Sequence, residues 1–190
     1  MSERRTQILE AAVRVISQDG VRGLRVEKLA AQAGVSTALI YYHFTDRAGI
    51  LRAALDHVNQ TARHYTDPAL TTTADPRTQV ERMLLLELQN DEHIRLNSIA
   101  WGELRASATF HHDLRAPLAA STRAWTQDVE TLIRQAQSTK TISPDIDPAA
   151  AAERLTALVE GLSERWHSGS VTLARARELL TGAIAVELHP

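Results

Sequence analysis

Small side chains followed by large rings with polar tips occupy a short stretch near the amino terminus. Tyr41, Tyr42 and His43 are consecutive, so on a helix they cannot all face a core. Tyrosine hydroxyls and imidazole nitrogens donate hydrogen bonds to phosphate oxygens, and small side chains such as Thr37 and Ala38 let the tip of a helix enter a major groove. These residue types therefore predict a helix that binds duplex DNA.

Two helical patterns separated by a sharp turn would position these side chains. Apolar residues recur at helical spacing up to Ala33, and Gly34 then provides the backbone freedom that a turn needs. Ser36 is a favourable cap because its hydroxyl accepts hydrogen bonds from the free N–H groups that begin a helix. The pattern predicts a helix-turn-helix with its second helix starting near Thr37. The predicted inward face of that helix is Leu39, Ile40 and Phe44.

The stretch AAQAGVSTALIYYHFTDRAGIL, residues 30–51, resembles the DNA-binding signature of the TetR family of bacterial transcriptional repressors. In that family an A-G-V-S turn precedes a recognition helix of the pattern L/I-Y-x-H-F, and a cation opens the next helix. The resemblance is close over residues 5–55 and extends to the remainder in layout. The DNA contacts that it implies fall on Thr37, Ala38, Leu39, Tyr41, Tyr42, His43 and Arg47, with Arg47 where the family usually has a phosphate-binding lysine.

The start of the preceding helix departs from the family pattern. The family usually has a Thr or Ser that caps this helix and contacts phosphate, whereas this chain reads Leu24-Arg25-Val26-Glu27. We expect Arg25 to replace the phosphate contact by its charge. Two roles are open for Glu27, which could accept a hydrogen bond from cytosine N4 or exclude other sequences. Val26 and the cap Ser36 complete the predicted DNA-binding set.

Composition and charge agree with a cytoplasmic DNA-binding protein. The 190 residues are 44% apolar, and the absence of cysteine excludes disulfides and thiolate metal sites. Residues 1–52 hold 8 Lys/Arg against 5 Asp/Glu, a net charge of +3, while the remainder carries −5. A basic head and an acidic body are expected when one end of a protein contacts phosphate. Neither a signal peptide nor an apolar stretch of membrane-spanning length is present, so we predict no membrane association.

Helical periodicity continues to the end of the chain, with no convincing alternation of strand type. Asp75-Pro76 and Asp147-Pro148 are helix-start signals, and the polar run from Asp67 to Pro76 predicts a linker. We predict an all-α fold of about nine helices. Residues 1–47 would form a three-helix DNA-binding head, and residues 48–190 a larger body for ligand binding and dimerisation.

The last two helices are predicted to form a homodimer interface. Their apolar stripes are wide, with the doublets Leu158-Val159 and Leu179-Leu180, which favours a second apolar face. A two-fold dimer lets two recognition helices enter successive major grooves ~34 Å apart, and the family resemblance implies the same pairing. The alternative is core packing within one chain. The predicted interface comprises Leu155, Leu158, Val159, Leu162, Trp166, Leu179, Leu180 and Ile184.

The body is larger than a dimer interface requires, which indicates a second role. The predicted lining of a small-molecule cavity is Met83, Glu87, Asn97, Trp101, Phe110 and Trp125. Aromatic rings with a carboxylate suit an aromatic or cationic ligand, although such rings also serve as core residues. The ELR, LVEGLSERW and ARELL motifs resemble the bodies of choline- and efflux-type repressors.

These features together predict a transcriptional regulator, in its simplest form a repressor that a small-molecule inducer releases from a palindromic operator. An architectural DNA-binding protein without ligand control is the alternative, and it would need no cavity. An enzyme is disfavoured because the chain has neither a glycine-rich phosphate loop nor a G-x-S-x-G motif. Adjacent His111 and His112 point about 100° apart on a helix, so they do not form a metal-binding pair. We expect no cofactor and no metal.

Overall fold

The structure of the protein is a computed structural model that describes residues 3–71 and 75–190. Within these residues the chain is helical, without a strand, which confirms the predicted all-α fold. No helix in the described part combines the length and apolar character needed to cross a membrane. The helices are α1 (Glu3–Gly23), α2 (Val26–Ala33), α3 (Thr37–Phe44), α4 (Arg47–Thr71), α5 (Pro76–Leu85), α6 (Glu92–Ser107), α7 (His112–Ser138), α8 (Pro148–His167) and α9 (Leu173–Glu187).

Aspartate caps begin the helices where the sequence predicts them. The Asp75 carboxylate accepts from the Thr78 N–H at 3.0 Å, and Pro76 follows in the first turn, where a missing N–H costs no helical hydrogen bond. Hydrogen bonds from the Thr78 hydroxyl and N–H lower the pKa of Asp75 below its usual value. Asp147 caps α8 in the same way, accepting from the Ala149 N–H at 3.0 Å.

One helix contains a kink, and one boundary differs from the predicted one. Gly20, with φ 71° and ψ 173°, interrupts α1, and a short helical extension then reaches Gly23. The backbone of α4 remains helical to Thr71, so a linker beginning at Asp67 is wrong. Composition alone suggested a loop there, whereas a helix that is already formed gains one hydrogen bond for each added residue. Residues 72–74 of the predicted linker lie outside the described residues.

The helices form two compact units, and the chain passes from one unit to the other within α4, within α6 and within α7. The first unit comprises Met1–Ala62 and Leu96–Ala120, and the second comprises Arg63–Arg95 and Ser121–Pro190. Compactness therefore divides the chain differently from the predicted functional boundary between residues 47 and 48, which stays a prediction. The core of the first unit contains residues of all three amino-terminal helices, together with Ala100, Leu104 and Leu114 of α6 and α7.

The core of the second unit is built around α8 and α9, which pack against each other and against α5. Val80, Leu84, Ile133, Leu155 and Leu180 are among its fully or almost fully buried side chains. Burying an aliphatic side chain of this size contributes roughly 1.5–3 kcal/mol relative to leaving it exposed. This burial fixes which side of each helix faces inwards and which side remains available to a partner.

Candidate nucleic-acid interface

The turn between α2 and α3 has the backbone geometry of a helix-turn-helix. Gly34 ends α2 in the left-handed conformation, with φ 64° and ψ 36°, and the Val35 N–H donates to the Ala30 carbonyl at 3.0 Å. The left-handed conformation costs a residue with a Cβ roughly 1–2 kcal/mol, which explains glycine here. Leu29 and Ala33 are buried against the first core. The predicted turn is confirmed.

The α3 helix is anchored by its cap and by two buried side chains. Ser36 accepts a hydrogen bond from the Leu39 N–H at 3.2 Å, as its position before the helix predicts. Ile40 and Phe44 are buried in the first core, whereas Leu39 is only half-buried. Two anchors one turn apart fix the rotation of a helix that has only eight residues. The opposite side of α3 therefore faces outwards.

The outward side of α3 carries the predicted recognition residues. Thr37, Ala38, Tyr41 and Tyr42 are all exposed, and the Tyr42 side chain has 82% of its surface open to solvent. His43 is half-buried, and its ring contacts that of Tyr42 edge-on, with 5.2 Å between ring centroids. This contact restricts the orientation of both rings. A small helix tip flanked by hydrogen-bonding rings is thus available to a DNA groove and its phosphates.

The start of α2 presents two charged side chains. Arg25 precedes the helix in an extended conformation, and both Arg25 and Glu27 are exposed. Val26 is half-buried and packs against the first core, so part of its side chain remains accessible, and its predicted DNA contact stays a prediction. Phosphate contact by Arg25 and base contact by Glu27 remain predictions.

Arg47 has a structural role that sequence reasoning missed. Its Nε donates to the Leu24 carbonyl at 3.0 Å, and its Nη2 donates to the Val21 carbonyl at 2.5 Å. The guanidinium therefore holds the end of α1 to the start of α4. No local signal could reveal these bonds, because the acceptors lie 23 and 26 residues away in sequence. The phosphate contact that the family resemblance implies for Arg47 remains a prediction.

Comparison with known families accounts for both parts of the chain. A model for bacterial regulatory proteins of the tetR family matches residues 8–54, which include the helix-turn-helix. A model for the C-terminal domain of BetI-type transcriptional repressors matches residues 76–189, more than half of the chain. The chain belongs to the TetR family. This TetR-family protein is a DNA-binding transcriptional regulator, and α2 and α3 form its DNA-binding motif.

Relatives of this TetR-family regulator match it over nearly its whole length. The transcriptional regulator BetI of Brucella anthropi is 25% identical over 187 residues, which are 97% of this chain and 93% of that protein. A TetR-family regulator from a Rhodococcus species has a solved structure with 47% identity and a TM-score of 0.92, covering 99% of this chain and 100% of that one. A regulator from Saccharomonospora viridis, solved in complex with choline, is 28% identical with a TM-score of 0.88, covering 99% and 98%.

The predicted ligand residues of the regulator divide between the two units. Met83, Glu87 and Trp125 belong to the second unit, where Met83 is buried and Trp125 packs, partly buried, against the core. The Tyr65 hydroxyl donates to Glu87 Oε2 at 2.9 Å. Part of Glu87 reaches solvent, but its carboxyl is enclosed, and burial raises its pKa to about 7 while the Tyr65 hydrogen bond opposes the increase. Tyr65 was not predicted.

The remaining three predicted ligand residues belong to the first unit and have other environments. Asn97 is buried and donates to the Val58 carbonyl at 3.1 Å, so its amide joins α6 to α4. The Phe110 side chain is 76% exposed in the turn between α6 and α7, which corrects its assignment as a cavity wall. Trp101 packs against the first core, with the Arg105 guanidinium 5.2 Å from its ring centroid. Stacking and packing thus explain Trp101 without a ligand.

The structure also corrects the predicted dimer interface. Leu155, Val159, Leu162, Leu180 and Ile184 are each at most 2% exposed within a single chain, because these residues form the second core. Buried side chains have no surface left for a partner. Trp166 is half-buried against the same core.

Other residues of α8 and α9 remain available to a second copy. Leu158 is half-buried, Leu179 and Val186 are exposed, and a Cβ at Gly161 or Gly182 would meet open space. These five residues are spaced so that they lie together on one side of each helix. We call this surface the outer face of α8 and α9.

Proposed function

We propose that this regulator is a repressor that a small organic cation releases from a palindromic operator. The observation that carries the ligand part of the proposal is the enclosed Glu87 carboxyl with its Tyr65 donor in the second unit. A relative of 28% identity was solved with choline, an organic cation, which supports this ligand class. The protein would act in the cytoplasm on duplex DNA and would need no catalytic group.

A cation is the ligand best suited to Glu87 because it offsets the cost of ionising an enclosed carboxyl. Burial disfavours the carboxylate, whereas a positive charge nearby favours it and lowers the pKa again. The ring of Trp125 and the thioether of Met83 are suitable contacts for the methyl groups of a quaternary ammonium. Below neutral pH, binding of a cation should therefore release a proton from Glu87.

The test is titration calorimetry with choline as the probe at pH 6 and pH 8. Because ionisation of Glu87 must precede or accompany binding, we expect tighter binding at pH 8 and proton release at pH 6. Glu87→Gln should weaken binding at least tenfold at pH 8, since a charge-assisted contact of about 1.5–3 kcal/mol is lost, and should abolish the pH dependence. Glu153→Gln, on the exposed side of α8, is the matched control. Choline binding that Glu87→Gln leaves unchanged would contradict the proposed site.

Release from DNA requires that the ligand bind the two states of the regulator with different affinities. A coupling of ~1–3 kcal/mol would change operator occupancy severalfold or more. The α4 helix could transmit the difference, because it carries Tyr65 in the second unit and buried Leu55 and Val58 in the first. A cation that binds at Glu87 without changing operator affinity would favour an architectural DNA-binding protein instead.

We also propose that the regulator acts as a homodimer through the outer face of α8 and α9. One recognition helix contacts only a few base pairs, so a two-fold dimer on a palindrome doubles the contacts. Gly161 and Gly182 would let the helices of two copies approach closely, and Leu158, Leu179 and Val186 would supply the buried apolar area.

A further inference from the structure

The last residues of α1, after its kink at Gly20, and the two residues before α2 are held by side chains from two other helices. We call this segment, residues 20–25, the connection. Glu103 of α6 accepts from the Val21 N–H through Oε2 at 3.2 Å. Arg47 of α4 donates to the Val21 and Leu24 carbonyls. At Val21, therefore, the N–H is bound by a negatively charged side chain of α6, and the carbonyl is bound by a positively charged side chain of α4. All of these residues belong to the first unit.

The backbone of the connection is shaped to receive the Glu103 carboxylate. Gly20 has φ 71°, and a Cβ there would lie only 2.8 Å from Glu103 Oε2. The side chains of Val21 and Leu24 are almost completely buried, at 1% and 2% exposure. Backbone polar groups of buried residues must be paired, and here two charged side chains bind the N–H of Val21 and the carbonyls of Val21 and Leu24.

The surface ion pair beside the connection contributes less. Lys28 and Asp19 are 2.6 Å apart, but their side chains are 46% and 36% exposed. Exposed pairs of this kind are typically worth 0–1 kcal/mol because solvent screens them. Glu103 and Arg47 are thus the contacts that determine where the connection lies.

We propose that Glu103 is a positioning residue for DNA recognition, acting through the Val21 backbone to fix the start of α2. The Arg25 N–H bonds to the Gly23 carbonyl at 2.9 Å, so the placement of Arg25 depends on the connection that Glu103 holds. Arg25 and Glu27 then project from the first turn of α2. Glu103 itself lies on α6 and needs no contact with DNA. Its carboxylate links the position of α6 to the placement of DNA-facing charges.

The test compares Glu103→Ala, Glu103→Gln and the control Glu92→Ala in the full chain. Glu92 is an exposed carboxylate in the first turn of the same helix. Affinity would be measured for an operator duplex selected from a random library and for a scrambled duplex, well below the melting temperature. Hydrogen exchange would follow the amides of residues 20–25.

We expect Glu103→Ala to weaken operator binding roughly tenfold, the loss of one charge-assisted hydrogen bond, with faster exchange at the connection. Binding to the scrambled duplex should change less than twofold, because a displaced α2 still carries its charge. Glu103→Gln should recover most of the affinity, since its amide oxygen can still accept from Val21. Glu92→Ala should match the wild type.

Equal operator affinity of Glu103→Ala and Glu92→Ala would overturn the proposal, as would a parallel loss on both duplexes. Gly20→Ala supplies a second route that keeps the carboxylate, because its methyl group would displace Glu103 from Val21 and alanine would also strain the left-handed backbone at this position. The same selective loss of operator binding is expected for this variant. If Glu103→Ala does not fold, operator and scrambled-duplex binding by Gly20→Ala and Glu103→Gln tests the proposal instead. A loss of binding to both duplexes in Gly20→Ala would again contradict the positioning role.

Discussion

Residues that lie close together in the recognition helix have different roles. Ile40 is fully buried and anchors α3, whereas Tyr42, two positions later, is 82% exposed. A substitution at Ile40 would affect DNA binding through folding, since truncating a buried isoleucine typically costs about 2–5 kcal/mol. At Tyr42 and Thr37 stability and binding can be separated, because neither side chain contributes to the core.

We predict different effects of substitutions at these two exposed positions. Tyr42→Phe should weaken binding to all duplexes alike, by about 1 kcal/mol, because one hydrogen bond to phosphate is lost. Thr37→Ala should instead alter preference at one base position, by roughly 1–3 kcal/mol. Competition binding with single-base operator variants distinguishes the two, and thermal melting should show both proteins as stable as the wild type. Unchanged DNA affinity in both variants would remove α3 from the interface.

At the scale of elements, the helix-turn-helix depends on one backbone conformation as much as on packing. Among the described residues, apart from Gly34 and its two chain neighbours, no atom lies within 4 Å of a Cβ built at Gly34, so a larger side chain would find space there. The constraint at this position is the positive φ of 64°. The open space alone would predict that alanine is tolerated at position 34. The positive φ predicts that alanine destabilises the turn.

Gly34→Ala should lower the free energy of unfolding by about 1–2 kcal/mol in spite of the open space, because alanine disfavours the left-handed region. Gly34→Asn is the matched control and should lose less, since asparagine adopts this conformation more readily. Urea unfolding followed by circular dichroism would measure both variants. Equal stability of Gly34→Ala and the wild type would show that the turn adopts another conformation.

For the whole molecule, two adjacent leucines of α9 have different roles. Leu180 is completely buried in the second core, whereas Leu179 belongs to the outer face. A charge at position 180 would therefore unfold the second unit and report nothing on assembly. A charge at position 179 would remain in solvent in a monomer and would be buried only in a dimer.

We predict that Leu179→Asp yields a folded monomer that binds its operator much more weakly, because each separate head retains only half of the contacts. Thr181→Asp, also exposed but on the other side of α9, should stay dimeric. Sedimentation velocity at micromolar concentration would measure both. A wild-type chain that sediments as a monomer would end the dimer proposal.

The sequence alone determined the features that depend on near neighbours. The cap at Ser36, the turn at Gly34 and the buried side of α3 are set by residues within about four positions. The cap and the turn are as predicted, and the buried side is as predicted at Ile40 and Phe44, whereas Leu39 is only half-buried. Helix starts at Asp75 and Asp147 were predictable for the same reason, since a cap and its N–H partners are two or three residues apart.

Which backbone atoms a side chain binds across a long sequence separation depends on how the helices pack in the folded protein. Arg47 and Glu103 bind backbone atoms of Val21, 26 and 82 residues away, and Asn97 binds a carbonyl 39 residues away. The doublet Leu179-Leu180 shows the same limit, because an apolar stripe defines a broad sector of a helix and not the one residue that faces the core. Packing against α5 and α8 resolves that choice, and packing depends on segments that the local pattern does not contain.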